Sequence, residues 1–266
     1  MVSDPEFTIY NFISKKMLRK TGSFTIYLLI FFVVLSFIDF PVGSKKTEPV
    51  SKKNRVENHL PVVKINLPKN NSAFRSNALV SYDISVSDKE DGESKYQEIN
   101  SKEVFLEIKY VKDTFGAIAE IKKIREDAPG LAIIKMSNCM NCHAFKTKLI
   151  GPSFYEIQKR YQDDDHDSLA NHILNGSKGR WGDVQMPSNT KLSLSEAAKV
   201  IQWIFKNAGD STINFFAGLE GSFRLNPPDA TFKDVILVAS YTDHGSSEQP
   251  SKNLKGEDII LIHENN

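Results

Sequence analysis

Cys139-Met140-Asn141-Cys142-His143 holds both cysteines of a 266-residue chain and sets a histidine directly after the second. Cys-x-x-Cys-His is the attachment signature of a c-type haem. Read on a helix, cysteines three residues apart share a face and can reach both vinyl groups of one porphyrin, while His143 lies one turn beyond Cys139, where an imidazole can meet the iron. Three other readings compete. Zinc needs four protein ligands, or three and a water, and the chain has no third cysteine. A redox dithiol opens a helix in a βαβ setting, which the surrounding pattern does not supply. The last alternative is a pair of structural cysteines followed by histidine through chance.

Helix ends around the motif are legible. Pro129-Gly130 precede a helix over 131–138 that carries it. Ser153 caps a helix with Phe154, Ile157 and Tyr161 on one stripe. Asp167 or Ser168 starts another, with Leu169, Ile173 and Leu174 inward and Asn175-Gly176 at its end. Ser193 and Glu196 are spaced as a capping box, with Leu192 at the staple position. Ala197, Ile201, Ile204 and Ala208 then share a face, and Gly209 supplies the stop. These helices define a domain over 115–209, too small to be stable without a cofactor at its centre.

With His143 alone an iron would be open to small ligands. Met186 offers a sixth ligand from the Gly-rich stretch 176–187, where a loop can wrap to the opposite face. A thioether favours ferrous iron, so His/Met ligation suits one-electron carriage. Packing is the other use of a methionine. Met136 and Met140 lie too near the motif to reach that face. His166 and His172 would give bis-His ligation, although each also fits a solvated helix surface.

The remaining chain divides by composition. Lys15, Lys16, Arg19 and Lys20 precede an uncharged run from Phe24 to Ile38. At 1.5 Å per residue that run spans about 22 Å against a ~30 Å hydrocarbon core, so it suits a signal peptide as well as a membrane anchor. Either would deliver the rest across the cytoplasmic membrane, and a start at Met17 would leave a short basic leader. Residues 41–58 are Lys-rich, Pro-punctuated and aperiodic, a linker. Alternating apolar residues over 59–112 read as strands of a small antiparallel β unit. Asp88, Glu90 and Asp91 before Gly92 could hold calcium; a solvated acidic turn is preferred, because the local ligand count falls short. Strand patterns return over 210–266, as a second β unit or as the missing strands of the first. A net charge of +1 with no dense basic tract excludes nucleic acid as the expected partner.

The fold class expected is thus multidomain α+β: an all-α haem domain flanked by β-sandwich-like units, behind an N-terminal hydrophobic segment over 1–40. Within it, the 139–143 motif, Gly151-Pro152, Trp181 ahead of Met186-Pro187, and the Ala-rich closing helix with Trp203 resemble a class I monohaem cytochrome c over roughly 125–209. That resemblance implies one covalent haem c on Cys139 and Cys142, His143 and Met186 on the iron, the Pro152 carbonyl accepting the His143 Nδ1 proton, and Trp181 near a propionate. Val86-Ser-Asp-Lys-Glu-Asp-Gly92 ahead of this domain, with Ala239-Ser-Tyr-Thr-Asp-His-Gly245 and Leu254-Lys-Gly-Glu-Asp-Ile-Ile-Leu261 behind it, is similar to the carboxy-terminal part of bacterial quinoprotein sugar dehydrogenases of the glucose/sorbosone type. Their leading unit resembles a polycystic-kidney-disease-type β-sandwich. No repeated blade period is present, so the catalytic propeller is missing.

These features imply an extracytoplasmic electron carrier without catalytic residues of its own, working between a dehydrogenase donor and a respiratory acceptor, with Lys146, Lys148, Lys178 and Arg180 ringing the exposed haem edge. Two other function classes stay open: a haem sensor or peroxidase with a displaceable sixth ligand, and a carbohydrate- or protein-binding β module with an accessory cytochrome.

Overall fold

The computed structural model describes residues 57–121, 126–161, 166–250 and 252–265. The apolar run 24–38 lies outside them. Among the described residues no helix is long and apolar enough to cross a membrane.

Among the described residues nine strands form two sheets. In the first, β3 (Leu79–Asp88) pairs antiparallel with β1 (Val62–Leu67), β4 (Gly92–Glu93) and β7 (Glu220–Arg224). The second runs β2 (Ser72–Arg75), β9 (Lys255–Asn265), β8 (Asp234–Thr242), β5 (Val104–Val111), β6 (Ile213–Ala217). Only β2 against β9 is parallel there. Strands from before and after the helices share both sheets. The segments 59–112 and 210–266 are therefore one sandwich, not a unit on each flank.

The reason lies in the side-chain period of two, which aims alternate residues of each strand at opposite faces. Leu106, Ile108 and Tyr110 of β5, and Leu237, Ala239 and Tyr241 of β8, join Val80, Tyr82 and Ile84 of the facing sheet in one core. Their neighbours point the other way. Phe105 enters the core of the helical segment with Ile213 and Phe215 of β6. Val111, Ile236 and Val238 pack against Ala117 of α1 (Thr114–Ile121). Strand β8 is buried nearly throughout because both of its faces are covered.

The helices are inserted between β5 and β6, two neighbours in the sheet. They comprise α2 (Pro129–Met136), α3 (Phe154–Arg160), α4 (His166–Asn175) and α5 (Leu194–Asn207). Ser193 and Glu196 form the expected capping box, and Ser153 with Glu156 forms another. Helix α5 ends at Asn207 with Ala208 as its cap, ahead of Gly209. Its apolar face, Ala197, Val200, Ile201 and Ile204, is the wall on which α2 and α4 rest. At Gly130 a Cβ would land on the Lys199 carbonyl, so the α2–α5 approach requires glycine there.

Two contacts fasten this insert to the sheet. Phe145, Trp203 and Phe215 form a triangle of tilted and edge-on rings with centroids 5.0–5.8 Å apart. Beside it Lys135, in the last turn of α2, is 8% exposed and meets Asp127 at 2.9 Å and the Ser240 hydroxyl at 3.1 Å. Lys255 of β9 reaches the other Asp127 oxygen at 2.9 Å. Burial alone would raise the Asp127 pKa; the two ammonium groups overcome it and hold the carboxyl below its usual range.

Candidate haem site

Helix α2 stops short of the cysteines. Asn138 takes a left-handed conformation at φ 55°, a geometry that asparagine tolerates, and Cys139–Asn141 form a single 3₁₀ turn. The motif therefore does not ride on the helix, as the spacing suggested. It sits on a tighter turn closed by Cys142 N–H to Cys139 O at 3.2 Å and His143 N–H to Cys139 O at 3.0 Å. The chain then loops back, with the Ile150 and Gly151 amides both donating to the Cys142 carbonyl.

That return brings Pro152 to His143. The carbonyl of Pro152 lies 2.7 Å from Nδ1 and can only accept, so Nδ1 carries the proton and Nε2 keeps its lone pair. Burial lowers the His143 pKa and so favours the neutral ring, outweighing this hydrogen bond, which acts in the opposite direction. The ring is held flat against Phe154, with centroids 5.9 Å apart and planes 14° apart. A Cβ on Gly151 would come within 2.6 Å of the imidazole, so the loop can approach the ring only as glycine.

His143, both cysteines, Met186 and Trp181 line one cavity of about 440 Å³, within the roughly 300–1,000 Å³ usual for cofactor sites. Its remaining wall is mainly apolar, with Leu169 and Ile173 from α4 and Ile201 and Ile204 from α5. Met186 is placed by its own backbone. Its amide donates to the Ser177 carbonyl at 2.8 Å and its carbonyl accepts from the Ser177 amide at 3.1 Å, while Asn189 N–H closes onto Ile173 O at 2.9 Å. Gly176 makes the turn possible at φ +78°.

The competing chemistries are testable against this geometry. Burial pushes the Cys139 thiol up to about 11, the reverse of a reactive dithiol, whose thiolate must form near neutral pH. No three His, Cys, Asp or Glu side chains converge as a metal cluster among the described residues. Two thiols on one wall, a neutral imidazole presenting Nε2, a thioether and an apolar slot suit a haem.

Other candidates separate. His166 packs on Phe205, with ring centroids 4.3 Å apart and planes tilted by 46°, and is not among the residues that line the cavity. His172 does line it, with Nε2 buried and without a hydrogen-bond partner. Burial, then the charge of Arg180, lowers its pKa. The sequence pattern had offered His172 only as an alternative ligand. Trp181 lies under the Arg160 guanidinium, 4.4 Å from its centroid, and edge-on to Tyr161. Lys148, Lys178 and Arg180 stand along the cavity. Lys146 does not join them: its ammonium donates to the carbonyls of Ala208 and Asp210 at 2.8 and 2.6 Å, closing the end of α5.

Residues 128–207 match the family model described as Cytochrome c. Cytochrome c-551 of Pseudomonas denitrificans is 38% identical over 77 residues, 28% of this chain and 93% of that protein. Cytochrome c-552 of Nitrosomonas europaea is 38% identical over 74 residues, 27% of this chain and 72% of that one. The crystal structure of wild-type Nitrosomonas europaea cytochrome c552 aligns at 36% identity over 29% of this chain and 96% of its own, with a TM-score of 0.28. On the sequence matches, the chain belongs to the cytochrome c family, electron carriers with one covalently attached haem c.

Proposed function

We propose that Cys139 and Cys142 hold the haem as thioethers, that His143 Nε2 and Met186 Sδ are its axial ligands, and that the chain passes single electrons from a dehydrogenase toward a respiratory acceptor outside the cytoplasm. The observation that carries this reading is the 2.7 Å contact of His143 Nδ1 with Pro152, on a ring that shares its cavity with Met186. Haem, when bound, supplies a one-electron couple whose potential depends on its axial ligands and on burial.

The protein's own residues prepare that couple. Pro152 fixes the imidazole tautomer and raises its basicity, and Phe154 and Gly151 fix its plane. The Ser177 bridge fixes the Met186 backbone at the cavity wall. Lys148, Lys178 and Arg180 give the opening a positive rim that would speed encounter with an acidic partner. The likeness of the sandwich strands to quinoprotein sugar dehydrogenases supports a sugar dehydrogenase as donor, and the basic-then-apolar amino terminus supports export or anchoring.

Replacing Met186 tests the ligand set. Met186→Ala should lower the reduction potential, abolish the Met–iron charge-transfer band and let ferrous protein bind carbon monoxide at neutral pH. An unchanged potential would remove Met186 from the iron, and carbon monoxide binding by the unaltered protein would favour a sensor.

A further inference from the structure

At one end of the sandwich, three segments distant in sequence are knitted together by polar side chains. Asn58 Nδ2 donates to Asp243 Oδ2 and to the Lys252 carbonyl, both at 2.8 Å. Asp91 Oδ2 accepts from the Tyr241 hydroxyl at 2.7 Å and from the His244 amide at 3.0 Å. The β3–β4 turn thus docks on the loop after β8, and Asn58, at the start of the sandwich, docks on the same loop. The acidic turn is not the solvated one its composition suggested.

Within this knot Asp88, Asn58 and Asp243 are 5%, 7% and 1% exposed. Asp88 Oδ1 accepts the amides of Glu90 and Asp91 at 2.9 and 2.7 Å. Asp243 Oδ1 accepts those of Gly245 and Leu254 at 3.0 and 2.8 Å. Two oxygens are left over: Asp88 Oδ2 and Asn58 Oδ1 are buried and have no hydrogen-bond partner. A buried acceptor left unmatched costs ~1–3 kcal/mol, more when charged.

The nearby cations do not answer this. Lys89 is turned to His59, His59 is engaged with Glu90, and His244 is engaged with Asp91 and Glu103. Burial raises the Asp88 pKa, its two amide hydrogen bonds lower it, and the neighbouring Asp91 and Asp243 carboxylates raise it further. Oxygen acceptors without a donor, beside like charges, are the chemistry a hard cation satisfies.

We propose that the sandwich binds one calcium ion within this knot, through Asp88 Oδ2, Asn58 Oδ1 and the Asp243 carboxylate. No three carboxylate, imidazole or thiolate side chains converge among the described residues; the shell would be two carboxylates and one amide, completed by water. Two carboxylates balance the charge, and ligands from three separate segments suit the irregular geometry of calcium better than the strict octahedron of magnesium. The ion would staple the entry of the chain into the sandwich to the β3–β4 turn and the β8–β9 loop. This site is independent of the haem assignment.

The test uses the full haem-loaded chain, stripped with EDTA and titrated with CaCl₂ at constant ionic strength, read by calorimetry and by thermal melting. One calcium per chain should bind, with affinity near the ~10⁻⁴–10⁻³ M of extracellular modules, and Tm should climb with each tenfold rise in calcium. Magnesium at the same concentration should give a smaller rise. Asp88→Asn should melt cooperatively in EDTA and lose both the binding heat and the calcium-dependent rise, because the amide keeps the size of the side chain but carries no charge. Glu93→Gln, altered in the same turn outside the shell, should keep both. Wild-type protein that takes up no calcium would overturn the proposal, as would Asp88→Asn binding calcium as tightly as wild type. A gain in stability for Asp88→Asn, with wild type indifferent to calcium, would likewise overturn it and show that the buried Asp88 carboxyl is met by no cation.

Discussion

The two cores meet on opposite faces of the β5–β8 sheet but are filled differently. In the sandwich, Leu106, Ile108, Leu237 and Ile262 are at most 1% exposed and are packed by other side chains of the same core. Across the sheet, Leu169, Ile173, Ile201 and Ile204 line the cavity as well as belonging to the core. One core is complete as polypeptide, and the other is shaped around a group that the polypeptide must acquire. Interiors are close-packed, so the second should depend on that group and the first should not.

The largest effect should come from preventing attachment. Cys142→Ala, or Cys139→Ala, should leave β8 amides protected in hydrogen exchange while amides of α2, α4 and α5 lose most of their protection. Equal protection in both regions would break the contrast. Next is the fastening between them. Asp127→Asn should cost about 3–5 kcal/mol in denaturant melts, since it leaves Lys135 buried without its charge partner. Lys135→Met, which replaces the ammonium by a chain of similar volume, should cost far less or stabilise.

Leu237→Ala should cost about 2–5 kcal/mol without altering the haem spectrum, because its side chain faces the sandwich. A spectral change would show that the cores communicate through the sheet. The Asp127 carboxyl also gives the fastening a pH signature. Its folded pKa lies below the unfolded value, so the stability it adds is present above about pH 4 and is lost as pH falls through the folded pKa. Acid melts of wild type should show this component, and those of Asp127→Asn should lack it. The smallest effect is expected at Ser193→Ala, about 1 kcal/mol for the lost cap of α5.

What could be read from sequence follows the same division. Alternation located β1, β3, β5, β7, β8 and β9, because each presents apolar residues to the sandwich at a period of two. It missed β2, a four-residue edge whose Phe74 is only partly buried. It also missed β6, where Ile213 and Phe215 serve the helical core while Phe216 serves the sandwich, so the run is apolar on both sides. The flanks are joined elsewhere, where β8 pairs with β5 and β7 with β3, and pairing between strands so far apart in sequence leaves no mark on alternation, so the two read as separate units. Cys-x-x-Cys-His and Gly151-Pro152 were legible because their chemistry is local. The 3₁₀ turn was not, since Asn138 in a left-handed conformation looks like any other asparagine. The Asp127–Lys135–Lys255 cluster was illegible for a related reason: isolated charges read as surface until the partner from β9 arrives.

The account rests on covalent haem at Cys139 and Cys142 inside the second core, and mass spectrometry of the mature protein tests this most directly. Addition of each thiol across a vinyl group loses no atoms, so the intact mass should equal the polypeptide plus one haem, with the whole increment on the peptide holding residues 139–143. A polypeptide of unmodified mass, or an increment on a peptide lacking both cysteines, would contradict it.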